Sequence, residues 1–190
     1  QVKNKLGALV AGIYADVPQD SDMEVVDNGA EQALSAGADT IVSLGGGSVI
    51  DTAKGMCIIM KEGGSFRDFQ GMQMLTRQQT PHIVIPTTAG TGSEVTSGAV
   101  VMNKEQGQKV IIFEYFNTPR VAILDPRMTE PLPANLTAST GMDAMTHAVE
   151  SYVSQQRNPI SDAVALHAVK LIVKYLPLAV ENGSDLTARG

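Results

Sequence analysis

The stretch Thr40-Ile41-Val42-Ser43-Leu44-Gly45-Gly46-Gly47-Ser48-Val49-Ile50-Asp51-Thr52-Ala53-Lys54 decides the fold. Its first five residues form a short apolar run of the kind buried in a parallel sheet, and three glycines then interrupt it. From Ser48 to about Met60 the apolar residues recur at helical spacing. Strand, glycine turn and helix in that order make the repeating unit of a doubly wound α/β domain. Such a turn exposes backbone N–H groups with no side chain in the way. The helix behind it adds a partial positive charge, so the two together can cradle a pyrophosphate. Ser48 is placed to cap the helix, with Asp51 as its capping partner three residues on. The turn lacks the Gly-Lys-Ser/Thr ending of a P-loop, and Ile50 stands where Gly-x-Gly-x-x-Gly needs its third glycine. On these residues alone, a tight turn without a ligand fits as well.

Upstream, Ser21-Asp22-Met23-Glu24 reads as a capping box, and Val25, Val26, Gly29, Ala30, Ala33 and Leu34 follow at helical spacing. Gly37 is placed as the C-terminal cap. Between Lys3 and Ala15, two lysines precede a short apolar run in the manner of a signal peptide, but Gly7 and Gly12 break it. The plainer reading is a helix end leading into a strand at Ile13-Tyr14-Ala15.

Downstream, a polar, glycine-bearing loop covers 61–81. His82 to Pro86 is a second buried-strand candidate. Ala99 to Met102 and Lys109 to Phe113 flank Lys104-Glu105-Gln106-Gly107, which predicts a β-hairpin. Val121 to Leu124 is one more strand. After Pro133 only helical periods remain, with breaks at Asn158-Pro159 and near Pro177. A domain boundary therefore falls at about residue 132, with an α/β domain over 1–132 and the beginning of a helical domain over 133–190.

With 43% hydrophobic and 18% charged residues the chain can bury a core. The formal charge is −6 and no basic stripe is visible, so a nucleic-acid partner has no electrostatic support. No apolar run approaches the roughly 20 residues that span a bilayer, so no membrane partner is expected. Cys57 is the single cysteine, which points away from a disulfide framework and towards a reducing, cytoplasmic compartment.

Two further constellations carry chemistry. Pro86-Thr87-Thr88-Ala89-Gly90-Thr91-Gly92-Ser93-Glu94-Val95-Thr96 follows a buried strand and is dense in hydroxyls and glycine. Loops at the carboxyl ends of parallel strands are where open α/β sheets bind ligands. Uncharged hydroxyls suit phosphate, ribose or amide groups, although a Thr-rich surface loop is the bland alternative. In Gly141-Met142-Asp143-Ala144-Met145-Thr146-His147, the carboxylate and the imidazole are four residues apart on one helical face. They can reach one cation, and the pair suits zinc or ferrous iron. An ordinary i,i+4 surface pair reads the same way. His82 and His167 are read as structural.

Taken together, Gly-Gly-Gly-Ser-x-x-Asp-Thr-Ala-Lys, Pro-Thr-Thr-Ala-Gly-Thr-Gly-Ser-Glu-Val-Thr and Thr-Gly-Met-Asp-Ala-x-Thr-His-Ala-x-Glu resemble the iron-containing (group III) alcohol dehydrogenase family, in order and in separation, over nearly the whole chain. The resemblance implies a Rossmann-like α/β domain with a parallel sheet that binds nucleotide, followed by an all-helical domain. It implies that Gly46, Gly47 and Ser48 hold the pyrophosphate of NAD or NADP, that Thr87, Thr88, Thr91 and Thr96 line the cofactor crevice, and that Lys109 and Leu124 touch the cofactor. Asp143 and His147 match the first two of four metal ligands, for Fe(2+) or Zn(2+), and are the implied catalytic pair. The implied reaction is hydride transfer between nicotinamide and a primary alcohol or aldehyde, in a protein that dimerises at full length. Against the family pattern, the chain reads as an internal fragment without the opening strands and the later ligand histidines. Two alternatives stand beside this reading: a piece that only binds nucleotide, and a relative of glycerol dehydrogenase or dehydroquinate synthase, against which the Asp-x-x-x-His spacing argues.

Overall fold

Asp22, not Ser21, starts the first long helix. In the structure, a computed structural model that describes residues 2–190, the Asp22 carboxylate accepts from the Glu24 and Val25 N–H groups at 2.9 and 3.1 Å and so caps α2 (Met23–Ser35). Ser21 is held elsewhere. Its carbonyl accepts from Met102 N at 2.9 Å and its hydroxyl is buried against Thr52 Oγ1. A carboxylate at this position also meets the positive end of the helix dipole. The other end follows expectation, with Gly37 in the left-handed region at φ +68° just past the helix.

β1 (Ile41–Gly45) leads into α3 (Gly47–Glu62), but the expected Ser48–Asp51 cap is absent. The cap position belongs to Gly46, which has no side chain, and Ser48 lies inside the first turn. Asp51 turns away and accepts from Val100 N at 3.1 Å. β1 is also less buried than a central parallel strand: Ser43 and Gly45 are covered while Val42 and Leu44 are exposed. Ahead of α2, the only helix is the short α1 (Val2–Leu6) among the described residues, extended by a 3-10 turn. Residues 13–15 form no strand. Side-chain bonds to α2 hold them instead, with Tyr14 Oη donating to Val25 O and Gln32 Nε2 to Ile13 O, both at 3.0 Å.

Two small sheets follow. β1, β3 (His82–Pro86) and β6 (Val121–Ala122) form one in the order β1-β3-β6, with β3 and β6 parallel and Ile83 opposite Val121. β6 is shorter than expected, although Ile123 N still donates to Val84 O at 2.8 Å. The other sheet joins β2 (Gly71–Met72) to the predicted hairpin of β4 (Gly98–Asn103) and β5 (Gln108–Phe113).

The chain divides into two compact units, one comprising the residues up to Ile85 with Ser93–Ile123, the other Pro86–Gly92 with Leu124–Gly190. The core of the first gathers Val26 and Ala30 of α2, Met56 and Ile58 of α3, Phe66 and Ile112. Full burial of a valine, isoleucine, methionine or phenylalanine side chain is worth roughly 1.5–3 kcal/mol. α2 and α3 approach closely because Gly55 has no Cβ; one built there would lie 2.6 Å from Val26 Cγ1.

The second unit is helical: α4 (Ala134–Val153), α5 (Pro159–Glu181) and the short α6 (Leu186–Arg189). Asn158 caps α5 by accepting from Ile160 and Ser161 N–H, with Pro159 at the first helical position, so the break expected there is real. The break expected near Pro177 does not occur, and α5 runs on to Glu181. A proline removes one hydrogen bond, but packing on α4, where Leu176 sits over Gly141, holds the helix together. α5 also corrects the expectation about apolar length. By length and composition it is apolar enough to cross a membrane, with Lys170 and Lys174 interrupting the apolar run. Little of that stretch is covered, since only Ala165 and Ala179 of the helix are buried.

Candidate functional site

The start of α3 has the properties of an anion cradle. Gly46 approaches it in an extended conformation (φ −84°, ψ −168°) and offers no side chain to cap the first N–H groups. Its carbonyl accepts from Val49 and Ile50 N–H, both at 3.1 Å, so the helix begins cleanly behind it. The first N–H groups of a helix have no partner within it, and over this 16-residue helix the dipole adds partial positive charge. Gly46, Gly47 and Ser48 are half-buried. Ser48 Oγ accepts from Asp20 N at 3.1 Å, and Ser48 O accepts from Thr52 Oγ1 at 2.8 Å. Gly45 matters for packing instead, since a Cβ there would lie 2.6 Å from Val49.

Lys54, two turns along α3, is not singled out by the sequence as a functional candidate. It is fully buried, and its Nζ donates to Thr96 Oγ1 at 3.1 Å and to Gly98 O at 2.6 Å. Asp51 Oδ1 lies 3.8 Å away. Burial pushes the lysine down to about 8, against the opposing pull of Asp51 and Glu94. Burial likewise raises the Asp51 carboxyl, which the Lys54 cation pulls back. Of the threonines singled out, Thr96 thus meets a buried cation, Thr87 and Thr88 are half-buried and Thr91 is exposed. Lys109 is exposed on β5 and pairs with Asp20 at 2.7 Å. Leu124 is largely exposed.

His82 is structural in its geometry. It is buried on β3, with Nε2 2.8 Å from Ser43 Oγ on β1. Burial, and then the Lys54 cation, lower it to about 4. His167 is exposed on α5.

In the second unit α4 does bring Asp143 and His147 together. Oδ1 and Nε2 are 4.0 Å apart, with both side chains about half exposed. Among the described residues no third His, Cys, Asp or Glu joins them in a metal-holding group. A cavity of about 440 Å³ lies along α4 and α5 in the same unit, lined by Thr137, Gly141, Ala144, Leu171 and Tyr175 among others, but neither Asp143 nor His147 lines it. Volume and donor chemistry therefore do not coincide.

The family profile described as iron-containing alcohol dehydrogenase matches residues 1–126, and that of the C-terminal part of the Fe-containing alcohol dehydrogenase family matches 137–190. The chain belongs to the iron-containing alcohol dehydrogenase family. It is 43% identical over 181 residues to the NAD-dependent methanol dehydrogenase of Bacillus methanolicus, covering 95% of this chain and 48% of that protein. To the 1,3-propanediol dehydrogenase of Citrobacter freundii it is 43% identical over 172 residues, 90% of this chain and 44% of the relative. Among solved structures, a 1,3-propanediol oxidoreductase superposes with a TM-score of 0.91 at 41% identity, over 94% of this chain and 47% of the other. The sulfoacetaldehyde reductase of Bifidobacterium kashiwanohense, solved with NAD+, superposes with a TM-score of 0.87 at 38% identity, over 93% and 47%. The chain spans about half the length of the curated relatives it matches. The α/β class with a Rossmann-like part followed by helices is that of these family structures.

Proposed function

We propose that the protein supplies the dinucleotide half of a nicotinamide-linked alcohol dehydrogenase, with an α/β nucleotide-binding part over 1–132 and a helical metal-binding part over 133–190. The observation that carries this reading is the start of α3, where a strand delivers a glycine cap without a side chain to a long helix. There the N–H groups of Gly46 and Gly47 bind a pyrophosphate and the Ser48 hydroxyl donates to it. Thr87, Thr88, Thr91 and Thr96 offer hydroxyls to ribose, phosphate or amide groups of NAD or NADP, Lys109 a cation, and Leu124 an apolar surface.

The donor chemistry of α4 fits a divalent metal. One carboxylate oxygen and one imidazole nitrogen, on one helical face and open to solvent, suit iron(II) or zinc(II). When bound, the metal supplies a Lewis acid and the nicotinamide a hydride acceptor, for interconversion of a primary alcohol and its aldehyde. Asp143 and His147 orient that ion and are the residues on which turnover depends. A second reading is dinucleotide binding without turnover: among the described residues this pair offers two donors, and a catalytic metal site takes three from protein. The buried Cys57 thiol, pushed up to about 12 by burial, stays unreactive in a reducing, cytoplasmic setting.

Calorimetric titration with NADH, then with ferrous iron, followed by assay of alcohol-dependent NAD+ reduction, tests both readings. Dinucleotide binding with iron-dependent turnover supports the dehydrogenase, and binding without turnover supports the second reading. Asp143→Ala is expected to abolish iron binding; unchanged metal content and turnover would sink the metal assignment.

A further inference from the structure

We infer that Asp20 is a positioning residue that clamps the two sides of the dinucleotide site, an inference that rests on the reading of Ser48 and Lys109 proposed above. Asp20 belongs to none of the motifs that mark the site, yet it touches two of its members from different elements. Its backbone N–H donates to Ser48 Oγ at 3.1 Å, in the first turn of α3. Its carboxylate pairs at 2.7 Å with Lys109 Nζ, on β5.

The backbone explains how one residue serves both. Asp20 has φ +51°, one of only two non-glycine residues in the left-handed region among those described. Aspartate tolerates that region better than most residues, but it remains strained, and strain that persists is held by its surroundings. In this conformation the N–H faces α3 while the side chain reaches β5. The residue next in the chain is anchored too, since Ser21 is buried against Thr52 of α3 and its carbonyl accepts from Met102 N of β4. Asp20 is therefore the exposed end of a fixed strap between α3 and the hairpin, not a loose loop tip.

The consequences for a ligand follow from donor and acceptor roles. When Ser48 Oγ accepts from Asp20, its own hydroxyl proton is free to point at a phosphate oxygen. An ammonium has three protons, so Lys109 can be held by Asp20 and still donate to a ribose or phosphate group. Without the carboxylate, this long and half-exposed lysine must be ordered by the ligand itself, and the entropy of that ordering weakens binding.

The test uses NADH as probe, by calorimetry, on the whole protein. Asp20→Gly keeps φ > 0 and the N–H while removing the carboxylate, and Asp20→Glu keeps the charge. Asp20→Gly should bind NADH about three- to fivefold more weakly, the range expected for a half-exposed ion pair, with an unfolding midpoint unchanged or higher. Asp20→Glu should stay within about twofold of the unsubstituted protein. In a Lys109→Gln background, Asp20→Gly should have no further effect on affinity. A purely structural role would make affinity follow the unfolding midpoint, which these variants separate. Equal or tighter binding by Asp20→Gly, or undiminished loss in the Lys109→Gln background, overturns the inference and leaves the dinucleotide site standing. Failure of the unsubstituted protein to bind NADH removes the site, and the clamp with it.

Discussion

Lys54 donates to Thr96 across the first unit, its Nζ 3.1 Å from Oγ1, with no part of the lysine exposed to solvent. The bond ties the middle of α3 to the end of the threonine loop, and the companion bond to Gly98 O ties it to the first residue of β4. A buried cation is tolerable only when it is paired or hydrogen-bonded, and Asp51 with these two oxygens meets that need. Burial still wins, and the lysine is held at about 8 instead of 10.5.

Stability should consequently rise with pH through an alkaline window. Between about 8 and 10.5 the unfolded chain keeps the Lys54 proton while the fold has released it, so the unfolded state binds more protons and raising the pH favours the fold. Below about 8 the burial penalty is present in full. The difference in unfolding free energy between the unsubstituted protein and Lys54→Met should grow by roughly 3 kcal/mol across that window. Urea unfolding at pH 7.5 and pH 10 checks it, and parallel curves for the two proteins would refute it.

His82 sets the acid side. Its ring stays neutral to about 4 because burial, then the Lys54 cation, oppose protonation, while an unfolded histidine takes up a proton near 6.5. As pH falls below 6.5 the unfolded state gains protons first and the fold loses stability, by about 2 kcal/mol from pH 7.5 to pH 5. His82→Gln should lose correspondingly less over the same interval in denaturant titrations. An identical loss in both proteins would assign the acid sensitivity to other groups.

Elements set by local pattern are legible in the residues, and contacts between distant elements are not. β1, α3 and the β4–β5 hairpin follow from apolar periodicity and turn residues, and the Asp143–His147 pair from the i,i+4 rule, since helical spacing alone places them on one face. Local pattern misassigns the Ser21 and Ser48 caps because a neighbouring residue, Asp22 or Gly46, takes the cap while each serine is engaged elsewhere. The buried Lys54 looks like one more polar position on a helix; its partners lie 42 and 44 residues away. The packing role of Gly90 is likewise not legible, because its backbone rests on α4 at Thr140, 50 residues further on.

Gly55 should resist even alanine. Alanine favours a helix by about 1 kcal/mol over glycine, but its Cβ would lie 2.6 Å from Val26 Cγ1 and 2.7 Å from the Phe66 ring, both fully buried. Overpacking of this kind costs about 1–3 kcal/mol, so Gly55→Ala is expected to be destabilising overall. Because the obstacle is partly the end of a side chain, Val26→Ala in the same molecule should recover part of the loss. Additive costs in the double variant would contradict the contact.

Gly90 poses the harder version of the same problem. A Cβ there would lie 2.7 Å from the Thr140 carbonyl oxygen, a backbone atom inside α4 that no side-chain substitution can remove. The loop carrying Thr87, Thr88 and Thr91 must then lift from the helix by several tenths of an ångström. Gly90→Ala should cost about 1–3 kcal/mol, and no substitution at Thr140 should restore it. Gly92 supplies the control, since its φ is +65° with nothing within 4 Å of a Cβ, so alanine there meets only backbone strain. If those threonines contact the dinucleotide, Gly90→Ala should also weaken NADH binding more than Gly92→Ala does at equal loss of stability. Equal affinities in the two variants would detach the loop from the ligand and leave Gly90 with a packing role alone.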